Sequence, residues 1–298
     1  MTARLLLLCP GQGGQHAGMF ELARTHAGAR DFLARCALPD DAAALFDNRV
    51  AQPAIVAATL AMWVALQDAL PAPALVAGYS IGELAAYGVA GALPLAAAVD
   101  LARRRAGLMA EAAAGVPQGR AAVAGVAVEA VRARAGVGEI AIVTGADSCI
   151  VGGTRAQLAL LAQHWPQARI QVLPVGVASH TRLMQAAVAP FAAHLRAAAF
   201  GAPRCPVLAG VDAARVVRSE MAIDRLARQL AETIAWDACM DAAGEAGITV
   251  ALELGPGAAL SRMLQARHPH IVCRSSANFQ TLAGITHWVG RELGDSAR

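Results

Sequence analysis

The amino-acid sequence predicts an α/β protein: a large, hydrolase-like three-layer domain with an inserted ferredoxin-like βαββαβ subdomain. Three observations carry this expectation. Short continuous apolar runs alternate with longer alanine-rich helical stretches, the order expected of a sheet covered by helices on both faces. Gly78-Tyr79-Ser80-Ile81-Gly82 stands between one such run and one such stretch, where a Gly-x-Ser-x-Gly turn lifts a serine above the sheet. Between 119 and 178 the pattern changes to β-α-β-β-α-β within about 60 residues. The expected division is therefore 1–118 with 179–298 for the large domain and 119–178 for the insert.

Along the chain, "LLLLCP" from Leu5 to Pro10 reads as a buried strand and "GQGGQHAG" as a glycine-rich turn, with a helix from near Met19. Alanine-rich helices are expected over 42–46 and, after Pro53, over 54–70. "ALVAG" from Ala74 to Gly78 is a buried strand, followed by a helix from about Gly82. Pro94 opens the next helix, which runs to about Ala114. In the insert, "RAAVAGVAV", "EIAIVTG", "DSCIVGG" and "ARIQVLPVGVA" are the strands, and "EAVRARAG" and "TRAQLALLAQHW" the helices. The chain then returns to a helix from Thr181, a strand at "CPVLAGV", a helix over 219–235, a strand at "ITVALELG" and a helix from Gly257.

Composition narrows the chemistry. The chain has 298 residues, 56% of them hydrophobic and 16% charged, ample for a core. Apolar runs are broken before the ~20 residues a bilayer span needs, and "LLLLC" is too short for a secretory signal. The six cysteines form no C-x-x-C pair, so reduced thiols in a cytoplasmic protein are expected. A formal net charge of +3 gives no reason to expect nucleic acid. All 25 basic residues are arginine. That excludes P-loop, Schiff-base and Ser-Lys chemistry, each of which needs a lysine. No His/Cys/Asp spacing suggests a metal.

Four places carry candidate chemistry. Ser80 is the candidate nucleophile; the elbow strains its backbone, and the N–H of Ile81 points where an oxyanion would form at a helix N-terminus. A chance Gly-Ser turn is the bland alternative, disfavoured by the strand before it and the helix after it. Gln12, in "PGQGGQ", is either a turn residue or a second oxyanion donor. A dinucleotide loop fails there, because His16 takes the third glycine position. Arg105 shares the stripe Leu95, Ala98, Val99, Ala102, Ala106 and Met109 by helical spacing, whereas Arg103 and Arg104 fall off it onto a solvated face. An inward arginine needs an anionic partner, and its planar fork fits a carboxylate. His180, in "VGVASHTRLM", sits at a strand exit, where site residues collect in α/β folds. The alternative for each of the eight histidines is a structural role.

Together, "PGQGGQ", "GYSIGELAAYGVAGAL", "RRRAGLM", "VASHTRLM" and "ELGPGAAL" resemble, in order and spacing over nearly the full chain, the malonyl-CoA:acyl carrier protein transacylase family. The resemblance implies Ser80 as acylated nucleophile, His180 as general base and acid, and Gln12 with the Ile81 amide as oxyanion hole. Arg105 is implied as the ligand of the malonyl carboxylate. It implies malonyl-CoA as substrate, an acyl carrier protein thiol as acceptor and no bound cofactor or metal. It also implies a main-chain carbonyl near Glu253–Gly255 that orients His180, with Asp147 left open as an alternative.

The sequence departs from the family at three positions. Tyr79 replaces the usual His, Thr144 falls where an Asn is common, and Val177 is not the aromatic residue that accompanies methylmalonyl use. Tyr79 is expected to point away from Ser80 and pack behind the elbow with its hydroxyl bonded to a polar neighbour. That tyrosine and the compact chain look most like the malonyltransferase (epsilon) subunit of bacterial malonate decarboxylase, whose carrier subunit would be the partner. The alternatives are the same transfer in fatty-acid or polyketide synthesis, a serine hydrolase or thioesterase, and a carrier-docking scaffold without catalysis.

Overall fold

Every residue of Leu5–Cys9 is buried, as expected of an inner strand in a sheet with both faces covered. The computed structural model describes residues 4–38 and 43–295. Its strands are β1 (Leu5–Cys9), β2 (Leu75–Gly78), β3 (Gln118–Ala124), β4 (Glu139–Gly145), β5 (Ser148–Thr154) and β6 (Arg169–Val172). There follow β7 (Val207–Leu208), β8 (Arg215–Val216), β9 (Ile234–Ala235), β10 (Val250–Glu253) and β11 (Val272–Ser275). The larger sheet has the order β11-β10-β1-β2-β7-β8 and is parallel except where β7 meets β8. Alternate residues of β1 face opposite ways. Leu5, Leu7 and Cys9 enter one apolar core and Leu6 and Leu8 another, which gives the expected three layers.

The second sheet has the order β6-β3-β5-β4-β9. Its first four strands pair antiparallel, with helices Val128–Ala133 and Arg155–His164 in the βαββαβ sequence. β9 joins from the C-terminal half of the chain, parallel to β4 through Ile142 and Ile234.

Several elements differ from expectation, each for a local reason. The helix expected over 219–235 ends at Arg228. Beyond it, Thr233 and Ile234 are β-branched and favour extended backbone, and Thr233 Oγ1 donates to the Ile140 carbonyl at 2.6 Å. The last strand of the insert stops at Val172, ahead of Pro174, which cannot donate to a ladder. The short helix expected at 42–46 is a 3-10 turn over Ala43–Phe46, and residue 42 lies outside the described residues. Strand β11 and the C-terminal helix Leu282–Asp295 had no counterpart in the sequence reading.

The long helix is Asn48–Leu66, not one that starts after Pro53. Asp47 caps it, accepting from the Arg49 N–H at 2.7 Å. Pro53 falls inside, where the carbonyl it leaves free is that of exposed Arg49. Its mean hydropathy reaches 1.5 over 18 residues, so by length and composition it is apolar enough to cross a membrane, contrary to the expectation that every apolar run breaks first. Here it is a core helix, packed against Gly82–Val89 and Leu95–Ala112 with 72% of that window buried.

Candidate active site

β1 and β2 lie side by side, with Cys9 opposite Gly78, so the loops that leave them emerge together at the C-terminal edge of the sheet. One carries Gln12 and the other Ser80. Ser80 has φ +56°, a left-handed conformation that is costly without a glycine. Close packing enforces the turn. A Cβ on Gly82 would stand 2.1 Å from the Cys9 carbonyl oxygen, and one on Gly78 2.4 Å from the Glu83 main chain. The amides of Gly82, Glu83 and Leu84 donate to Tyr79, Ser80 and Ile81 carbonyls. The preceding amide, that of Ile81, makes no main-chain bond among the described residues.

Ser80 Oγ lies 2.8 Å from His180 Nε2, although 100 residues separate them. His180 also has positive φ, +65°, and its N–H donates to the Leu230 carbonyl at 2.7 Å. Its Nδ1 faces the Gln229 carbonyl at 2.5 Å. A carbonyl only accepts, so the proton sits on Nδ1 and Nε2 is left to accept from the serine. The ring is 1% exposed. Burial, and then the charges of Arg105 and Arg120, hold its pKa well below that of an ordinary histidine. The imidazole is therefore uncharged at neutral pH.

The orienting carbonyl is a correction. The family resemblance implies one near Glu253–Gly255, but it belongs to Gln229, just past the helix Ser219–Arg228. Carbonyls at a helix end lack intrahelical partners, and His180 takes two of them, from Gln229 and Leu230. Glu253 instead caps the helix Ala259–Arg267, accepting from the Leu260 and Ser261 amides at 3.3 and 2.8 Å. Asp147 sits exposed in the β4–β5 turn and is not a partner of the imidazole. Thr144 Oγ1 spends its proton in the same hairpin, near the Ser148 carbonyl at 3.0 Å.

Arg105 is 2% exposed on the inward face of Leu95–Ala112, whereas Arg104 is exposed and Arg103 pairs with Asp100. Its Nη1 donates to Gln52 Oε1 at 2.7 Å and its Nη2 to Gln229 Oε1 at 3.1 Å. Both acceptors are neutral, so the charge is oriented but not neutralised. Gln229 Nε2 in turn donates to Glu83 Oε2 at 2.5 Å, and the Gly210 amide donates to the same oxygen at 3.0 Å. Glu83 is 0% exposed, and burial pushes its pKa up to about 7.

Gln12 is half-buried in the turn after β1 and lines a cavity of about 200 Å³ together with Tyr79 and Arg120. The Tyr79 ring stands edge-on to Trp236, with centroids 5.2 Å apart, and a Cβ at Gly11 in the Gln12 loop would meet the Tyr79 carbonyl oxygen at 2.7 Å and the ring at 3.0 Å. The hydrogen bond expected from its hydroxyl is not among those of the described residues, and burial raises its pKa to about 12.

Gln52, Glu83, Gln229 and Arg120 were missed in the sequence. Glu83 had a signal, as an acidic residue one step beyond the elbow glycine on an otherwise apolar helix. The others reach the site only through long-range packing.

The acyl transferase domain family matches residues 6–284 of the chain. The malonyl CoA-acyl carrier protein transacylase of Mycobacterium tuberculosis is 32% identical, over 94% of this chain and 100% of its own length. The Escherichia coli protein of the same name is 30% identical, over 85% and 89%. Among solved structures, the M. tuberculosis protein superposes with a TM-score of 0.88 at 32% identity, covering 95% of this chain and 99% of that one. Malonyl-CoA:acyl carrier protein transacylase from Xanthomonas oryzae pv. oryzae superposes with a TM-score of 0.89 at 29% identity, over 97% and 99%.

Proposed function

The chain belongs to the acyl transferase domain family and is an acyltransferase; on that premise we propose that it carries a malonyl group from malonyl-CoA to the thiol of an acyl carrier protein through a malonyl-serine at Ser80. The observation that carries this reading is the 2.8 Å contact of Ser80 Oγ with a histidine whose other nitrogen faces a carbonyl. His180 Nε2 takes the Ser80 proton as Oγ attacks the thioester carbon. The oxygen that becomes anionic is met by the Ile81 amide and the Gln12 side chain. The carbon–sulfur bond breaks, and the CoA thiolate leaves with the proton returned by His180. In the second half the carrier thiol gives its proton to His180 and attacks malonyl-Ser80, and the serine recovers the proton. Arg105 holds the free carboxylate in a bidentate grip.

Incubation with malonyl-CoA and intact-mass measurement tests the reading. A malonyl adduct is expected on the wild-type chain and none on Ser80→Ala; an adduct on that variant refutes the assignment. Without carrier, CoA release should show a burst and then stall. Steady hydrolysis would make the protein a thioesterase instead.

The relatives are named for malonyl CoA and acyl carrier protein, which favours a carrier of the fatty-acid-synthesis type. Tyr79, in place of the family's usual His, favours the malonate decarboxylase carrier as a second reading. Transfer assays with each purified carrier separate the two.

A further inference from the structure

Strand β3 turns alternate side chains in opposite directions. Ala121 and Val123 enter the apolar core of the second sheet. Arg120 faces the other way, into the cavity it shares with Gln12, Gly13, Tyr79, Ile150 and Met263. It is 5% exposed. Its Nε is fully buried without a hydrogen-bond partner, and its guanidinium enters no salt bridge among the described residues. Arginine does not shed its charge on burial, and a buried cation left unpaired is strongly unfavourable. Arg105, by contrast, is held by two amide oxygens. The charge of Arg120 is also felt across the site, where it lowers the pKa of both His180 and Arg105.

The position of the charge narrows what it serves. The cavity is walled by the loop that carries Gln12, not by the helix that carries Arg105. The phosphates of CoA lie at the far end of an extended arm from the thioester. On the Gln12 side of the reaction, the oxygen that gains charge is the thioester carbonyl oxygen. We infer that Arg120 is a charge-stabilising residue of acyl transfer, holding a permanent positive charge toward the oxygen that becomes anionic when Ser80 attacks. The neutral donors Ile81 and Gln12 direct that oxygen, and Arg120 adds the field that favours its charge in a site whose Ser80 and His180 are both buried. The resting protein carries the unpaired cation at the expense of stability, a pattern found where function opposes stability.

This inference rests on the acyl-transfer reading, and one experiment separates the two. The full-length wild type, Arg120→Gln and Arg120→Lys are mixed with malonyl-CoA or acetyl-CoA, and acyl-Ser80 formation is followed by quenched-flow mass spectrometry. Thermal melts are recorded alongside. Arg120→Gln should slow acylation by both thioesters to a similar degree, on the order of 10- to 100-fold, because the oxyanion is common to them. Arg120→Lys should recover most of that loss. The acid limb of the acylation rate should move to higher pH in Arg120→Gln only, since His180 loses a repelling neighbour. The melting temperature of Arg120→Gln should hold or rise.

Unchanged acylation in Arg120→Gln overturns the inference. So does a loss confined to malonyl-CoA, which would make Arg120 a carboxylate ligand. A fall in melting temperature without rescue by lysine also overturns it, as the mark of a structural residue. Absence of any acyl adduct in the wild type would sink the acyl-transfer reading itself.

Discussion

His180 Nδ1 donates to the main-chain carbonyl of Gln229, not to its side chain, so the Gln229 amide is free to serve Arg105 and Glu83. One residue thus touches the proposed base, His180, through its backbone and the proposed carboxylate ligand, Arg105, through its side chain. Substitution should separate the two. Gln229→Ala keeps the carbonyl and removes the amide, leaving Arg105 without one of its two acceptors. A hydrogen bond to a charged group is worth about 1.5–3 kcal/mol, so KM for malonyl-CoA should rise about 10-fold or more. Acylation by acetyl-CoA and the acid limb of the pH profile should stay near wild type. Parallel loss with both substrates would show that the side chain also holds the histidine.

Arg105→Ala should reverse the preference between acyl groups. The guanidinium is buried and its two acceptors are neutral, and in the proposed reaction a substrate carboxylate would supply the opposite charge. Discrimination by such a site is on the order of 3–5 kcal/mol. Malonyl transfer should therefore fall at least 100-fold while acetyl transfer holds or rises, read from kcat/KM with each thioester. An unchanged malonyl preference would move the carboxylate elsewhere.

The pH profile follows from the His180 environment. In the proposed role of base it would act when neutral, and burial, with the charges of Arg105 and Arg120, lowers its pKa. Acylation should therefore persist well below pH 6.5, the ordinary histidine value, and fail only in more acid buffer. Stability has the same sign. The unfolded chain binds a proton at this histidine that the folded chain refuses, so this contribution is lost as pH falls below about 6.5. Rates of acyl-Ser80 formation between pH 5 and 8 test the first statement; an acid limb at or above 6.5 contradicts it.

What was legible in the sequence is what short spacing encodes. Gly78 and Gly82 mark the elbow because no Cβ fits there. Arg105 stood out by falling on an apolar helical stripe, and it is buried. The partners of these residues were not legible. Gln52 lies 53 residues from Arg105 in a helix whose composition says only that it is apolar. Gln229 lies 49 residues from His180 and contributes a carbonyl, which every residue possesses. The carbonyl that the family resemblance implied near Glu253–Gly255 is not the one that meets the imidazole, and the Glu253 carboxylate caps the next helix. β9 was absorbed into a helix because a two-residue strand has no periodicity to detect.

Glu83 makes the last prediction. Its Oε2 accepts from Gln229 and Gly210, while Oε1 and the neighbouring Tyr87 hydroxyl make no geometrically ordinary hydrogen bond among the described residues. Burial lifts its pKa to about 7 from the ordinary value of 4.5, outweighing the two neutral amides that donate to it and nearby Arg105, which favour its charged form, while Asp212 disfavours that form. The folded state therefore holds this proton more tightly than the unfolded state does. The resulting stabilisation is complete below about pH 4.5 and is lost as pH rises through 7. Glu83→Gln keeps an acceptor for Gln229 and Gly210, gives Tyr87 a donor and removes the titration. The melting temperature of Glu83→Gln relative to wild type should therefore increase from pH 5 to about pH 7 and level off towards pH 8. A difference that stays constant over that range would mean that Glu83 does not titrate there.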